Sequence, residues 1–104
     1  MNDNASSFIS PVDDLTITPI LQALGDPVRL AVVRRLAAGE PVACGTFGLG
    51  VSASTMTHHL KILREAGVVQ TKIDGKRRLN SLRRDALDER FPGLLDSILS
   101  ASDT

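Results

Sequence analysis

Apolar positions fall into a helical period in several stretches of the chain and into an alternating period in one. In PVRLAVVRRLAAGE, Val28, Val32 and Leu36 recur at i, i+4 and i+8, and Leu30 and Val33 widen the apolar face. That spacing predicts a helix apolar around much of its circumference, hence the central core helix. Asp26 is placed to cap it and Pro27 suits its first position, where a missing N–H costs nothing; Gly39 is expected to end it. Upstream, ILQAL runs into Gly25, a natural stop, with Thr16 or Thr18 as its N-cap. Near the other end, Phe91, Leu94, Leu95, Ile98 and Leu99 recur at helical spacing. That helix is expected to begin near Asp85 as N-cap, with a break or kink at Pro92.

The stretch SASTMTHHLKILREAG, residues 52–67, holds two adjacent histidines on a predicted helix. Neighbouring helical residues point about 100° apart, so the two serve different surfaces. Met56, His59, Leu60 and Leu63 form an i, i+3, i+4, i+7 stripe that faces the core, widened by Ile62. Ser54, Thr57, His58, Lys61 and Glu65 lie opposite. Ser52 or Ser54 caps the helix and Gly67 ends it. His59 therefore reads as a packed residue with one ring nitrogen hydrogen-bonded. The polar stripe carries short hydroxyls, an imidazole and an ammonium at a helix N-terminus, where free N–H groups and partial positive charge favour phosphates.

From Val68 the period becomes two. Val69, Thr71 and Ile73 alternate with more polar neighbours, and Asp74-Gly75 signals a tight hairpin, with Leu79 and Leu82 on the return strand. Lys76, Arg77 and Arg78 sit at or beside its tip. PVACGTFGLGV, residues 41–51, is too rich in glycine for a long helix and predicts one short turn around Ala43–Phe47. The element order is helix, helix, short turn, helix, hairpin, helix. The expected fold is mainly α with a small β-hairpin: a winged helix-turn-helix, dimeric, over residues 16–100, preceded by a polar flexible segment, residues 1–15.

Charge sharpens the picture. The formal net charge is zero, yet residues 58–84 carry eight basic side chains against two acidic ones, and residues 85–104 carry one against five. A basic block confined to one part of a neutral chain fits a polyanion-binding surface. The helix can read base edges in a major groove, and the hairpin can lie along a sugar-phosphate backbone or reach a minor groove. Arg83 and Arg84 either extend this patch or simply precede the last helix. The single cysteine, Cys44, excludes an intramolecular disulfide. Together with an N-terminus lacking basic and apolar leader regions and the absence of a long apolar run, it points to a cytoplasmic protein. There is no nucleophile–base pair, phosphate loop or metal-ligand set, so neither an enzyme nor a cofactor is expected.

These residues resemble a known family. ALGDPVRLAVVRRLAAGE is similar to the opening core helix of ArsR-type winged-helix repressors, VSASTMTHHLKILREAGVV to their recognition helix, and KIDGKRR to their wing. The resemblance covers roughly residues 18–99. It implies a symmetric dimer, built from the first and last helices, that binds operator DNA. Metal-sensing members carry paired cysteines before the recognition helix, or histidine and carboxylate ligands on the last helix. Here PVACGTFG has one thiol and LRRDALDERFPGLLDSILS has no histidine, so metal sensing is not implied. Asn80 stands near where many relatives carry an aromatic residue. Cys44 reads as a small buried side chain, the alternative being a redox-responsive thiol.

The expected function is a homodimeric, sequence-specific transcriptional regulator, a repressor more than an activator, bound to double-stranded DNA with no membrane association. Ser54, Thr55, Thr57, His58 and Lys61 are the expected helix contacts, and Lys76, Arg77 and Arg78 the wing contacts. Ile17, Ile20, Leu21, Leu24, Phe91, Leu94, Leu95 and Ile98 are the expected dimer seam, since a small monomer would otherwise expose them. The competing reading is a dimeric winged-helix module that binds protein. The inducer is not legible.

Overall fold

The structure, a computed structural model, describes residues 14–101. Its elements in chain order are α1 (Ile17–Leu24), α2 (Pro27–Leu36), β1 (Val42–Ala43), a 3-10 turn (Cys44–Thr46), α3 (Ala53–Glu65), β2 (Val69–Asp74), β3 (Arg77–Leu82), α4 (Arg84–Arg90) and α5 (Leu94–Ser100). The strands form one antiparallel sheet in the order β1-β3-β2. Most of the expected flexible segment lies outside the described residues, but Leu15, assigned to it, is buried in the core.

Local chemistry accounts for the helix boundaries. The Asp26 carboxylate accepts the N–H groups of Val28 and Arg29 at 2.9 and 3.0 Å, and Pro27 opens α2. α2 stops at Leu36, three residues before Gly39. Thr16 takes the N-cap position of α1, with no side-chain cap bond. α3 ends in a Schellman motif: the Gly67 N–H bonds Arg64 O and the Val68 N–H bonds Leu63 O, both at 3.0 Å. Gly67 takes φ 86° there, a conformation that costs a side-chain-bearing residue 1–2 kcal/mol by rough estimate.

Three expectations need correction. Asp85 lies inside the first turn of α4, and Arg83 occupies the N-cap position, with no side-chain cap bond. The hairpin loop is Gly75-Lys76, because Asp74 already pairs with Arg77, and Gly75 sits at φ 62°, where a glycine is favoured. A third strand, β1, joins the sheet beside β3, pairing Val42 with Asn80 and Ala43 with Leu79. The expected break at Pro92 is present: Phe91 closes α4, and Gly93, at φ 84°, precedes α5.

The core is aliphatic. Ile20, Val32, Val33, Leu60, Leu63, Val68 and Val69 are its largest fully buried apolar side chains, drawn from α1, α2, α3, the turn before β2 and the first residue of β2. Each such residue contributes roughly 1.5–3 kcal/mol by burial. The apolar stripe of α3 therefore clamps that helix to the body and leaves its other face outward.

Candidate nucleic-acid interface

α3 and the hairpin carry every basic or hydroxyl side chain singled out above as a nucleic-acid contact, and all eight are exposed: Ser54, Thr55, Thr57, His58, Lys61, Lys76, Arg77 and Arg78. Met56, Leu60 and Leu63 on the opposite side of α3 are buried, so the phase of the helix follows the sequence pattern.

Hydrogen bonding within the first turn of α3 decides what each hydroxyl can offer. Ser52 caps the helix, accepting the Thr55 N–H at 3.2 Å and donating its proton to Thr55 Oγ1 at 2.9 Å. With that proton committed, the 3.2 Å contact between Ser52 and Ser54 has Ser54 as donor. Thr57 donates to Ala53 O at 2.9 Å. Ser54 and Thr57 thus have oxygen lone pairs left to accept, while Thr55 keeps a free proton. A short stretch of helix surface offers both acceptors and a donor, which is what base edges in a major groove can discriminate.

His59 behaves as the periodicity required. Its side chain is 13% exposed and its Nδ1 lies 3.2 Å from Arg29 Nη1 and 4.0 Å from Asp26 Oδ2. A guanidinium can only donate, so Nδ1 is the acceptor and the ring proton sits on Nε2. The shorter Arg29 contact decides the tautomer, and the carboxylate approach is then not an ion pair. Arg29 also donates through Nε to Ala23 O at 2.6 Å. The end of α1, the start of α2 and the middle of α3 are tied at this point. The Asp26 carboxyl is held below the ordinary carboxylate range, first by the Arg29 N–H and then by the Arg29 guanidinium and the Val28 N–H, against the opposing effect of burial. Sequence reading missed Arg29; a basic residue three positions after a capping aspartate was its only signal.

On the wing, Arg77 reaches Asp74 at 3.4 Å, both well exposed, a pair too solvated to hold the arginine firmly. Arg84 pairs with Asp96 at 3.0 Å and Asp88 at 3.7 Å, and Arg83 donates to Gly67 O at 3.3 Å. Arg83 is thereby tied to the body, while Arg84 is engaged by carboxylates of the last two helices in partly solvated ion pairs. Cys44 is half-buried, and its Sγ takes a hydrogen bond from Asn80 Nδ2 at 3.2 Å. Among the described residues, no group of three or more His, Cys, Asp or Glu side chains could hold a metal ion.

The expected dimer seam divides. Ile17 and Leu21 are exposed, and Phe91, Leu94 and Ile98 are half-buried. Ile20, Leu24 and Leu95 are buried in the chain's own core, behind that surface. They were included because periodicity gives the apolar side of a helix without saying which neighbour covers it.

Comparison with known proteins agrees with this geometry. A family model described as a helix-turn-helix domain matches residues 24–71. The crystal structure of an ArsR family transcriptional regulator superposes with a TM-score of 0.62 at 26% identity, covering 69% of this chain and 80% of that one. An uncharacterized HTH-type transcriptional regulator of Bacillus subtilis (strain 168), YceK, is 36% identical over 89 residues, 83% of this chain and 89% of its own. The chain belongs to the ArsR-type winged helix-turn-helix transcriptional regulators. This ArsR-type regulator is also 33% identical to the arsenical resistance operon repressor of Staphylococcus xylosus over 73 residues, 69% of this chain and 70% of that one. The transcriptional repressor BigR from Xylella fastidiosa superposes with a TM-score of 0.58 at 29% identity, over 70% and 83% of the two chains. The segment before α3 is a single 3-10 turn, with Phe47 buried beside it. No helix among the described residues is long and apolar enough to cross a membrane.

Proposed function

We propose that this regulator is a homodimeric repressor that binds a near-palindromic operator, with α3 in the major groove and the β2–β3 wing on the adjacent backbone. The observation that carries the reading is the exposed polar face of α3 set opposite its buried apolar stripe. Ser54, Thr55, Thr57 and His58 meet base edges and phosphates at the helix N-terminus, and Lys61 meets a phosphate. Lys76, Arg77 and Arg78 grip the backbone beside it. The subunits join through Ile17, Leu21, Phe91, Leu94 and Ile98, an apolar surface continuous with a crevice lined by Ile20, Leu24, Leu87 and Leu95. A twofold pair sets the two helices about one DNA turn, roughly 34 Å, apart. Acting on operator DNA goes with a cytoplasmic location.

Salt dependence tests this reading. Lys61, Lys76, Arg77 and Arg78 from two subunits give a log–log slope of about −7 at about 0.9 per phosphate. The assay measures binding to duplex DNA from upstream of the protein's own gene, at several salt concentrations. Lys61→Ala should weaken binding to all duplexes and flatten the slope by about 1.8 for the dimer. A slope shallower than about −2 would instead favour a protein-binding module.

A further inference from the structure

Two polar side chains occupy positions where the sheet's alternation calls for apolar ones. Thr71 and Asn80 pair across β2 and β3, and both are fully buried. They belong to a continuous chain of hydrogen bonds. Arg64 Nη1 donates to Thr71 Oγ1 at 3.4 Å, and Thr71 donates to Asn80 Oδ1 at 2.7 Å. Asn80 Nδ2 donates to Val42 O at 3.0 Å and to Cys44 Sγ at 3.2 Å. A guanidinium only donates and a backbone carbonyl only accepts, so the polarity of the whole chain is fixed from its two ends. No buried side-chain nitrogen or oxygen among the described residues lacks a partner.

The chain spans the elements that matter for DNA binding. Arg64 lies in the last turn of α3, Thr71 and Asn80 in the wing, Val42 in the edge strand and Cys44 in the 3-10 turn. Beyond Thr71 every residue of β2 is exposed, and Ile73 is 48% exposed; from the tip of β3 inward, Asn80 is the first buried residue. The Thr71–Asn80 pair is therefore the last inward-facing anchor before the wing leaves the body. An apolar contact there would tolerate sliding, whereas directional hydrogen bonds fix rotation. The tip lies three residues on, about 10 Å, so a rotation of about 10° at the pair moves the tip by about 2 Å, enough to break a phosphate hydrogen bond.

We infer that Thr71 and Asn80 are positioning residues that set the angle between the wing and the recognition helix, so that both engage one duplex. The inference rests on the DNA-binding reading above. Its test uses the full chain and a 30-bp duplex that the wild type selects from a randomised library. Thr71→Val keeps the shape but removes both hydroxyl bonds, and Thr71→Ser restores them. Thr71→Val should lower affinity about tenfold and flatten the salt slope by about 0.9 for each wing phosphate lost, with base preference along α3 unchanged. The pair Arg77→Ala and Arg78→Ala should cost at least about tenfold in the wild type and less than about twofold in Thr71→Val, the non-additivity of residues that act as one unit. Thr71→Ser should recover both affinity and slope. Arg64→Leu, which leaves the Thr71–Asn80 pair intact, gives the same non-additivity in smaller size and serves if Thr71→Val does not fold. Additive losses, or failure of Thr71→Ser to rescue, would overturn the positioning role and leave the DNA reading standing. A wild type that selects no duplex would overturn the DNA reading itself.

Discussion

Replacing Arg29 by methionine keeps the stem volume and removes the guanidinium that joins α1 and α2 to α3. Two of its hydrogen bonds have good geometry, Nε to Ala23 O at 2.6 Å and Nη1 to His59 Nδ1 at 3.2 Å. The third, Nη2 to Gln22 O at 3.5 Å, lies at the limit and contributes little. A hydrogen bond from a charged donor is worth about 1.5–3 kcal/mol, and water replaces part of it at this half-buried site, so the loss is about 2–4 kcal/mol. For a domain of this size that lowers Tm by roughly 10–25 °C. Urea unfolding followed by circular dichroism, at one fixed protein concentration because association would add to apparent stability, measures it. The midpoint should fall with the m-value unchanged. Arg29→Lys, with one ammonium that cannot span both acceptors, should fall between wild type and Arg29→Met. A loss below about 1 kcal/mol for Arg29→Met would refute the claim that this guanidinium holds α3 in place.

The Asp26 cap has a defined pH window. Its folded-state pKa is lowered, so its contribution is complete above the ordinary carboxylate range and is lost as pH falls through the lower folded value. Asp26→Ala should cost about 1 kcal/mol near neutral pH, with the gap to wild type closing below about pH 4; a gap constant down to about pH 2 would contradict the assignment. Thr57→Ala should change sequence preference at one position of a selected duplex and leave the salt slope alone, as measured by competition among variant duplexes. Ile17→Glu combined with Leu21→Glu should give a folded monomer by sedimentation at micromolar concentration; persistence of a dimer would place the seam elsewhere.

The sequence made the central helices legible because several signals agree there. Asp26-Pro27 fixes the start of α2, Ser52 and Gly67 bracket α3, and Met56, Leu60 and Leu63 set the phase of α3. The exposed face of α3 that carries the proposed contacts was legible for the same reason: once the buried stripe is fixed, the opposite stripe follows. What escaped was of two kinds. β1 has two residues, too few to display a period, and it exists because β3 offers it an edge. Alternation put Thr71 on the same face as Val69 and Ile73, but it gave no sign that polar Asn80 is buried or that Ile73 is exposed; the partners brought by folding, Val42 O and Arg64, make the burial of Asn80 and Thr71 favourable. The burial of Ile20, Leu24 and Leu95 within the chain shares that origin, since only the tertiary fold says which apolar side chain faces a neighbouring element.

The turn at Gly67 leaves almost no slack between the reading rod and the strand that follows: Val68 is bonded back to Leu63 within the same motif, and β2 starts at the next residue. The end of α3 and the root of β2 are thereby held at a fixed offset, with no tether to lengthen or shorten, and only the wing's angle beyond that root is left to the Thr71–Asn80 pair. In the proposed complex, exchanging outward side chains of α3 would alter which bases are preferred, while the spacing between the foot of the reading rod and the foot of the wing would stay as this junction sets it.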